Sequence, residues 1–172
     1  MALSKDRLGS LFEAVNEDLD QLEEKVSVDV ILIGGAAMML MSPNARATMD
    51  VDVFLLHADN FAAVAAIFRN YGIDIVTVAS VPDPEDMNPT PVFEFSHITV
   101  FIPDWYNLAI TKLFSTRDEE ADLLEYILPN IEDWDKLATM VEDYKIDYVG
   151  DIRRTDANRI EEYRKMLEHE TK

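Results

Sequence analysis

Cysteine is absent from the 172-residue chain, which excludes a disulfide, a thiolate nucleophile and a thiolate zinc site. Long apolar runs are absent too, since none approaches the roughly 20 residues that a helix needs to cross a bilayer. The first residues lack the basic-then-apolar order of a signal peptide. We therefore expect a cytoplasmic protein with no membrane segment.

Basic residues are scarce, because 15 Lys and Arg stand against 34 Asp and Glu, for a formal net charge of -19. A surface of this sign repels phosphate backbones at long range, so direct nucleic-acid binding is disfavoured. A solvated acidic surface that keeps the protein in solution accounts for the charge without any functional role. A basic protein partner is also compatible with it.

Hydrophobic residues make up 48% of the chain, enough for one core in a chain of this length. We expect a single domain over residues 1–172, with an α/β core at about 26–103 and a helical C-terminal part at about 104–172. Helical periodicity predicts helices at Ser4–Lys25, Ala36–Met41, Asp59–Asn70, Asp104–Ser115, Thr116–Leu128, Asn130–Tyr144 and Thr155–Glu168. Alternation and β-branched runs predict strands at Val28–Ile33, Thr48–Leu56 and Ile73–Val78, and one bulged strand or a hairpin at Val92–Phe95 and Ile98–Ile102.

A glycine pair follows the first predicted strand and opens a short helix, at Gly34 and Gly35. Glycine lets the backbone approach a phosphate closely, and the amides and positive dipole end of a helix N-terminus favour an anion there. A plain strand-to-helix turn without a ligand explains the pair equally well.

Two carboxylates, Asp50 and Asp52, are spaced i and i+2 on the next predicted strand, so they leave the same face of it. This geometry suits shared oxygen ligation of magnesium and the phosphates that it bridges. Apolar neighbours such as Met49, Val51 and Val53 indicate that the other face of the strand is packed. The alternative is that the pair marks the solvent face of a half-exposed strand.

Lys112 lies on a predicted helix that is apolar nearly all round. A lysine in such surroundings must reach an anion or extend its ammonium group to water. Neutralisation of a triphosphate is the functional interpretation, and extension to water is the alternative.

Two blocks of the chain resemble the signature of the nucleotidyltransferase superfamily, most closely its AbiEii-like, minimal branch. The first block is Gly34-Gly35, a short helix, and then Arg46-x-Thr48-x-Asp50-Val51-Asp52-Val53. The second is Lys112-Leu113, Arg117-Asp118 and Asp122. Together with their connection, the blocks span about residues 28–128.

The resemblance implies a nucleotidyltransferase-type mixed β-sheet flanked by helices, with a helical C-terminal extension. It implies metal-dependent transfer of a nucleoside monophosphate from a nucleoside triphosphate such as ATP to an acceptor hydroxyl. Asp50 and Asp52 would hold Mg²⁺ or Mn²⁺, and Glu94 is the best candidate for the third, catalytic carboxylate. The residues expected to bind the nucleotide are Gly34, Gly35, Arg46, Thr48 and Lys112.

The resemblance leaves the acceptor open among RNA, protein and small molecules. Members of this branch include toxins of toxin–antitoxin and phage-defence pairs, so an antitoxin or another protein partner is expected. Two features depart from the superfamily: Ala36 and Ala37 stand where it often has Ser or Thr after the glycine pair, and the third carboxylate is not obvious, since Glu94 can equally be an outward-facing strand residue. The alternatives are a catalytically weak nucleotide-binding or protein-interaction module, and an acidic protein that masks a basic partner.

Overall fold

The computed structural model describes residues 3–42, 44–45, 48–77, 82–115, 120–146, 148 and 157–170. The chain forms two compact units, one of Met1–Val78 with Pro84–Asp104 and the other of Ala79–Asp83 with Trp105–Lys172. The first unit contains a β-sheet and its helices, and the described residues of the second are mainly helical. Organisation as a single domain stays a prediction.

The sheet of the first unit has five strands in the order β3-β2-β1-β5-β4. In chain order they are β1 (Val28–Ile33), β2 (Val51–Ala58), β3 (Ile73–Ile75), β4 (Thr90–Glu94) and β5 (Ile98–Ile102). β1 is antiparallel to β2 and parallel to β5, β2 is parallel to β3, and β4 is antiparallel to β5. The predicted α/β class with a mixed sheet is therefore confirmed.

Three of the predicted strands have different boundaries in the structure, one of them being the strand predicted at Val92–Phe95, which is Thr90–Glu94. The strand predicted at Thr48–Leu56 begins only at Val51, because the chain before it makes local hydrogen bonds rather than sheet pairs. The strand predicted at Ile73–Val78 ends at Ile75, and Val78 lies outside the described residues. Of the two forms left open for the last two strands, the hairpin is correct.

The first unit also contains three helices. They are α1 (Lys5–Asp20), α2 (Gly34–Met41) and α3 (Phe61–Asn70). α1 packs against α3, and the Phe12 ring lies 6.4 Å from the Phe93 ring of β4. Because side chains alternate along a strand, the residues on the face of Phe93, such as Val100, form the core beneath α1.

The opposite face of the sheet carries a second apolar cluster. Its buried members are Ile31, Ile33, Phe54 and Met87, with the partly buried Leu56, Val76 and Phe101 packed against them. Met87 follows a 3-10 turn at Pro84–Asp86 and is fully buried. This cluster makes the face rigid next to the candidate site, because Ile33 and Phe54 bracket the position of Asp52.

The described helices of the second unit begin directly after the sheet. They are α4 (Trp105–Leu113), α5 (Glu120–Asp122), which runs into a π-helical turn (Leu123–Ile127) and a 3-10 turn (Leu128–Asn130), then α6 (Trp134–Lys145) and α7 (Ala157–Glu170). Arg159 of α7 pairs with Glu120 of α5 at 2.6 Å. The predicted helix Thr116–Leu128 is thus helical throughout its described part, but its hydrogen bonding changes from α to π and then to 3-10. The rest of that prediction, Thr116 to Glu119, lies outside the described residues.

No helix among the residues that the structure describes is both long enough and apolar enough to cross a membrane.

Candidate active site

One end of the sheet carries five of the residues that the sequence singles out: Gly34, Gly35, Thr48, Asp50 and Asp52. β1 finishes there and continues into Gly34, while β2 and β3 begin there, because β1 is antiparallel to β2 and β3 is parallel to β2. We call this end the glycine end of the sheet. Asp52, the second residue of β2, therefore lies beside the N-terminus of α2, and Asp74, the second residue of β3, lies next to Asp52.

Gly34 brings the helix N-terminus against the carboxylate of Asp52. The backbone of Gly34 has a φ of +60°, which L side chains rarely adopt, and a Cβ built on it would lie 3.3 Å from Asp52 Oδ2. Asp52 itself is half-buried and pairs with Ile33, the last residue of β1. The sheet register therefore holds this carboxylate directly beside the turn.

Asp50 is placed differently from Asp52, since it is exposed and lies one residue before β2. The alternation that was predicted to put both carboxylates on one face operates only from Val51 onward. The neighbouring Met49, predicted to face the core, is 72% exposed. Local hydrogen bonds position Asp50 instead: its N–H donates to Thr48 Oγ1 at 3.2 Å.

Gly35 is packed directly against Thr48. A Cβ built on Gly35 would lie 2.7 Å from Thr48 Oγ1 and 2.8 Å from Thr48 Cβ, distances that no side chain tolerates without a shift of the backbone. The second glycine is thus required by a contact between the turn and the segment that carries Asp50.

A third carboxylate at the glycine end, Asp74, was missed by the sequence analysis. Asp74 pairs with Asp52 in the parallel register of β2 and β3, and residues paired in this way have side chains on the same face. Neighbouring strands lie about 4.8 Å apart, so the two Cα atoms are close neighbours. The signal was present in Ile73-Asp74-Ile75, where one acid alternates with two apolar residues, but three residues are too few to predict a strand partner.

The structure does not bring Glu94 to the glycine end. Glu94 pairs with Thr99 of β5, which pairs with Asp29 of β1, four residues before Ile33. Glu94 is thus displaced from Asp52 by four residues along the strands, at about 3.3 Å per residue, and by three strand spacings across the sheet, at about 4.8 Å each. The two displacements together give a distance of roughly 20 Å. It cannot share a metal ion with the aspartate pair.

Lys112 is buried within the second unit, as its apolar surroundings predicted. Its side chain is 5% exposed, and its ammonium Nζ lies 3.7 Å from Asp122 Oδ2, whose side chain is 9% exposed. An ion pair with Asp122 therefore accounts for the buried charge within the unit. Arg46, the remaining predicted nucleotide contact, lies outside the described residues, as do Arg117 and Asp118.

The chemistry available at the glycine end is that of oxygen ligands beside a helix N-terminus. Ile33, at the N-cap position of α2, has no polar side chain to cap the first amides of the helix. Within the described ranges, no three or more His, Asp or Glu side chains are grouped closely enough to hold a metal ion on their own. Two carboxylates beside a helix N-terminus suit a cation that arrives already bound to an anion.

The comparisons with known proteins gave one match. A family model described as a nucleotidyltransferase of unknown function (DUF6036) matches residues 6–169, nearly the whole chain. No curated protein and no solved structure matches this chain.

Proposed function

Because the chain belongs to the nucleotidyltransferase family DUF6036, we propose that it transfers a nucleoside monophosphate from a nucleoside triphosphate to an acceptor hydroxyl at the glycine end of its sheet. The observation that carries this proposal is the approach of Gly34 to Asp52, where a Cβ would lie 3.3 Å from Oδ2. That approach places a carboxylate beside the N-terminus of α2. A metal-bound phosphate needs both groups.

The residues at the glycine end fit Mg²⁺ or Mn²⁺. Both ions prefer oxygen ligands, and Mg²⁺ is usually held by one or two carboxylates together with substrate phosphates and water rather than by a full protein cage. Asp50 and Asp52 supply two carboxylates, and no larger ligand group occurs among the described residues. The metal would neutralise the phosphates and stabilise the charge that develops in transfer.

The turn and the helix would bind the phosphates. The N-cap residue of α2, Ile33, provides no side-chain cap, and the dipole of the helix makes this end positive. Gly34 lacks the side chain that would otherwise occupy the space before Asp52. Because Ala36 and Ala37 have no side-chain hydroxyl, the hydrogen-bond donors that they offer to the phosphates are backbone N–H groups.

Asp74 is the group that we assign as the base, in the place first given to Glu94. The acceptor hydroxyl would lose its proton to Asp74 while its oxygen bonds to the α-phosphorus, and the bond from that phosphorus to the departing pyrophosphate breaks. Asp74 is exposed and lies beside Asp52 in the register, so an acceptor can reach it from solvent. Glu94 is too far along the sheet for this role.

Finer details of the function rest on the resemblance alone. They are membership of the AbiEii-like branch, a role in a toxin–antitoxin or phage-defence pair, a preference for ATP, and contacts of Arg46 and Lys112 with the triphosphate. A second candidate, a module that binds nucleotide without transferring it, is favoured by the lack of a metal-holding group of three or more side chains among the described residues. The experiment below separates the two functions.

The test is transfer of an α-labelled nucleotide. The protein is incubated with each of the four triphosphates, with Mg²⁺ or Mn²⁺, and with the RNA, protein and small-molecule fractions of a cell extract as acceptors. We expect label to enter one fraction with release of pyrophosphate, and Asp50→Asn and Asp52→Asn to abolish both. Asp29→Asn, the same change on β1 at the other end of the sheet, is the matched control and should remain active.

Two further variants test the assignment of the base. Asp74→Asn should lower kcat on the order of 100-fold or more while nucleotide binding persists, because a general base contributes about that much. Glu94→Gln should leave kcat unchanged. Loss of transfer in Glu94→Gln but not in Asp74→Asn would refute the assignment of the base. Full activity in both Asp50→Asn and Asp52→Asn would refute the proposed function. Nucleotide binding without any pyrophosphate release would favour the binding module.

A further inference from the structure

Thr48 contacts three segments of the chain at the glycine end. Its carbonyl oxygen accepts a hydrogen bond of 2.9 Å from the N–H of Leu3, just before α1. Its side chain packs against Gly35 at the start of α2, and its hydroxyl bonds to the backbone of Asp50. A half-buried threonine is thus held by the N-terminal segment and the glycine turn at once.

The hydroxyl of Thr48 forms two hydrogen bonds with the backbone of Asp50. The N–H of Asp50 donates to Oγ1 at 3.2 Å, and Oγ1 lies 3.3 Å from the carbonyl oxygen of Asp50, to which it can donate. The two bonds define the path of the backbone through the exposed Asp50. Side chains of this type commonly stabilise turns by bonding to backbone two residues away.

Asp50 needs such support, whereas Asp52 does not. Asp52 lies within β2 and is paired with Ile33 on one side and Asp74 on the other. Asp50 precedes the strand, so no sheet pairing defines its position. A carboxylate that must meet a metal within a few tenths of an ångström requires its backbone to be held in place.

The contact with Gly35 couples this support to the phosphate-binding turn. The Cβ and Oγ1 atoms of Thr48 fill the space where a side chain at position 35 would lie. A displacement of Thr48 would therefore move Asp50 relative to the N-terminus of α2. The distance between the metal ligand and the phosphate donors thus depends on one residue.

We infer that Thr48 is a positioning residue that sets the carboxylate of Asp50 against the glycine turn, rather than a residue that contacts the nucleotide. The inference rests on the proposed function, since it assigns Asp50 to the metal. It predicts that Thr48 acts on nucleotide binding only through Asp50, so that loss of the Thr48 hydroxyl lowers the affinity for nucleotide only when the metal is present. A direct phosphate contact would matter with or without metal.

The experiment compares Thr48→Val, which keeps the branched shape but loses the hydroxyl, with Thr48→Ser, which keeps the hydroxyl. Affinity for a nucleoside triphosphate is measured by calorimetry with Mg²⁺ and with a chelator. We expect Thr48→Val to weaken the Mg²⁺-dependent binding about 10- to 100-fold, as a small misplacement of a ligand does, and to leave metal-free binding unchanged. Thr48→Ser should retain most of the wild-type affinity.

Two further readouts separate positioning from other roles. In a double-mutant cycle, Thr48→Val should add nothing to Asp50→Asn, because both changes remove the same carboxylate from the metal. In the ligand-free protein, hydrogen exchange of the Asp50 amide should be faster in Thr48→Val than in the wild type and in Thr48→Ser. The second readout needs neither nucleotide nor activity.

The outcomes distinguish this inference from the proposed function. An equal loss of metal-free and Mg²⁺-dependent affinity in Thr48→Val would identify a phosphate contact and overturn the positioning role. Additive effects of Thr48→Val and Asp50→Asn would overturn it as well, while the proposed function would stand. Absence of any metal-dependent binding in the wild type would overturn both.

Discussion

At the scale of single residues, His97 has both ring nitrogens next to an acceptor. Nδ1 lies 3.0 Å from the carbonyl oxygen of Val26, and Nε2 lies 2.9 Å from Asp20 Oδ1 at the end of α1. A carbonyl and a carboxylate only accept, so both bonds form fully only when the ring carries two protons. The Val26 carbonyl, followed by Asp20, raises the pKa of His97 above its ordinary value of 6.5, against the opposing effects of burial and Lys25.

This shift gives the stability of the protein a pH dependence. Because the pKa is raised in the folded state, the stabilisation is fully present below the unfolded pKa of about 6.5 and is lost as the pH rises through the folded pKa. We therefore expect His97→Gln to lower the free energy of unfolding more at pH 6 than at pH 9 in urea titrations. In a protein that already carries Asp20→Asn, the difference between the costs of His97→Gln at pH 6 and at pH 9 should be smaller. A cost of His97→Gln that is equal at both pH values would contradict this explanation.

The site residues show what one sequence can reveal and what it cannot. Asp50, Asp52 and the glycine pair could be predicted as site residues because ligand and turn chemistry require those residue types at short spacing. Asp74 was missed and Glu94 was chosen because the third carboxylate depends on which strands are neighbours. Strand order and register are long-range properties, and Ile73-Asp74-Ile75 shows the same alternation as any short edge strand.

At the scale of elements, the turn from β1 into α2 combines two separate demands on glycine. Gly34 needs a positive φ and also space in front of Asp52. Gly72, after α3, has a similar φ of +67° but open space within 4 Å of the position that a Cβ would take. A comparison of substitutions at Gly34 and Gly72 therefore distinguishes the effect of backbone strain from the effect of crowding at the site.

Gly34→Ala and Gly72→Ala should each lower the free energy of unfolding by about 1–2 kcal/mol, the cost of the left-handed region for an L residue. Only Gly34→Ala should also weaken Mg²⁺-dependent nucleotide binding, because its new Cβ crowds Asp52 Oδ2. Urea denaturation and calorimetry on the two variants check this. A similar loss of nucleotide binding in Gly72→Ala would show that strain alone, and not the site, is responsible.

Local signals predicted some elements better than others. β1 was predicted with its observed bounds, since a β-branched run ends at a glycine pair. The segment after Asp122 was predicted as α-helix and contains a π-helical turn at Leu123–Ile127, because both forms share the same apolar content. The start of β2 was placed too early, since Thr48 bonds to Asp50 in a way that its side chain allows but that alternation does not reveal.

At the scale of the whole molecule, the net charge of -19 affects every anionic ligand. A free triphosphate is repelled by such a surface, and Asp50, Asp52 and Asp74 add to the repulsion at the glycine end. A divalent cation reverses this locally, because it attracts the carboxylates and the phosphates together. The metal dependence that we propose for nucleotide binding therefore agrees with the charge of the protein as well as with the geometry of the site.

The most direct test of the account is calorimetric titration of the wild-type protein and Asp52→Asn with nucleoside triphosphates, each with Mg²⁺ and with a chelator. The account predicts that the wild type binds at least one triphosphate with Mg²⁺, and that both the chelator and Asp52→Asn remove most of this affinity. Binding that persists unchanged without the metal and in Asp52→Asn, or no binding of any triphosphate under any of these conditions, would contradict it.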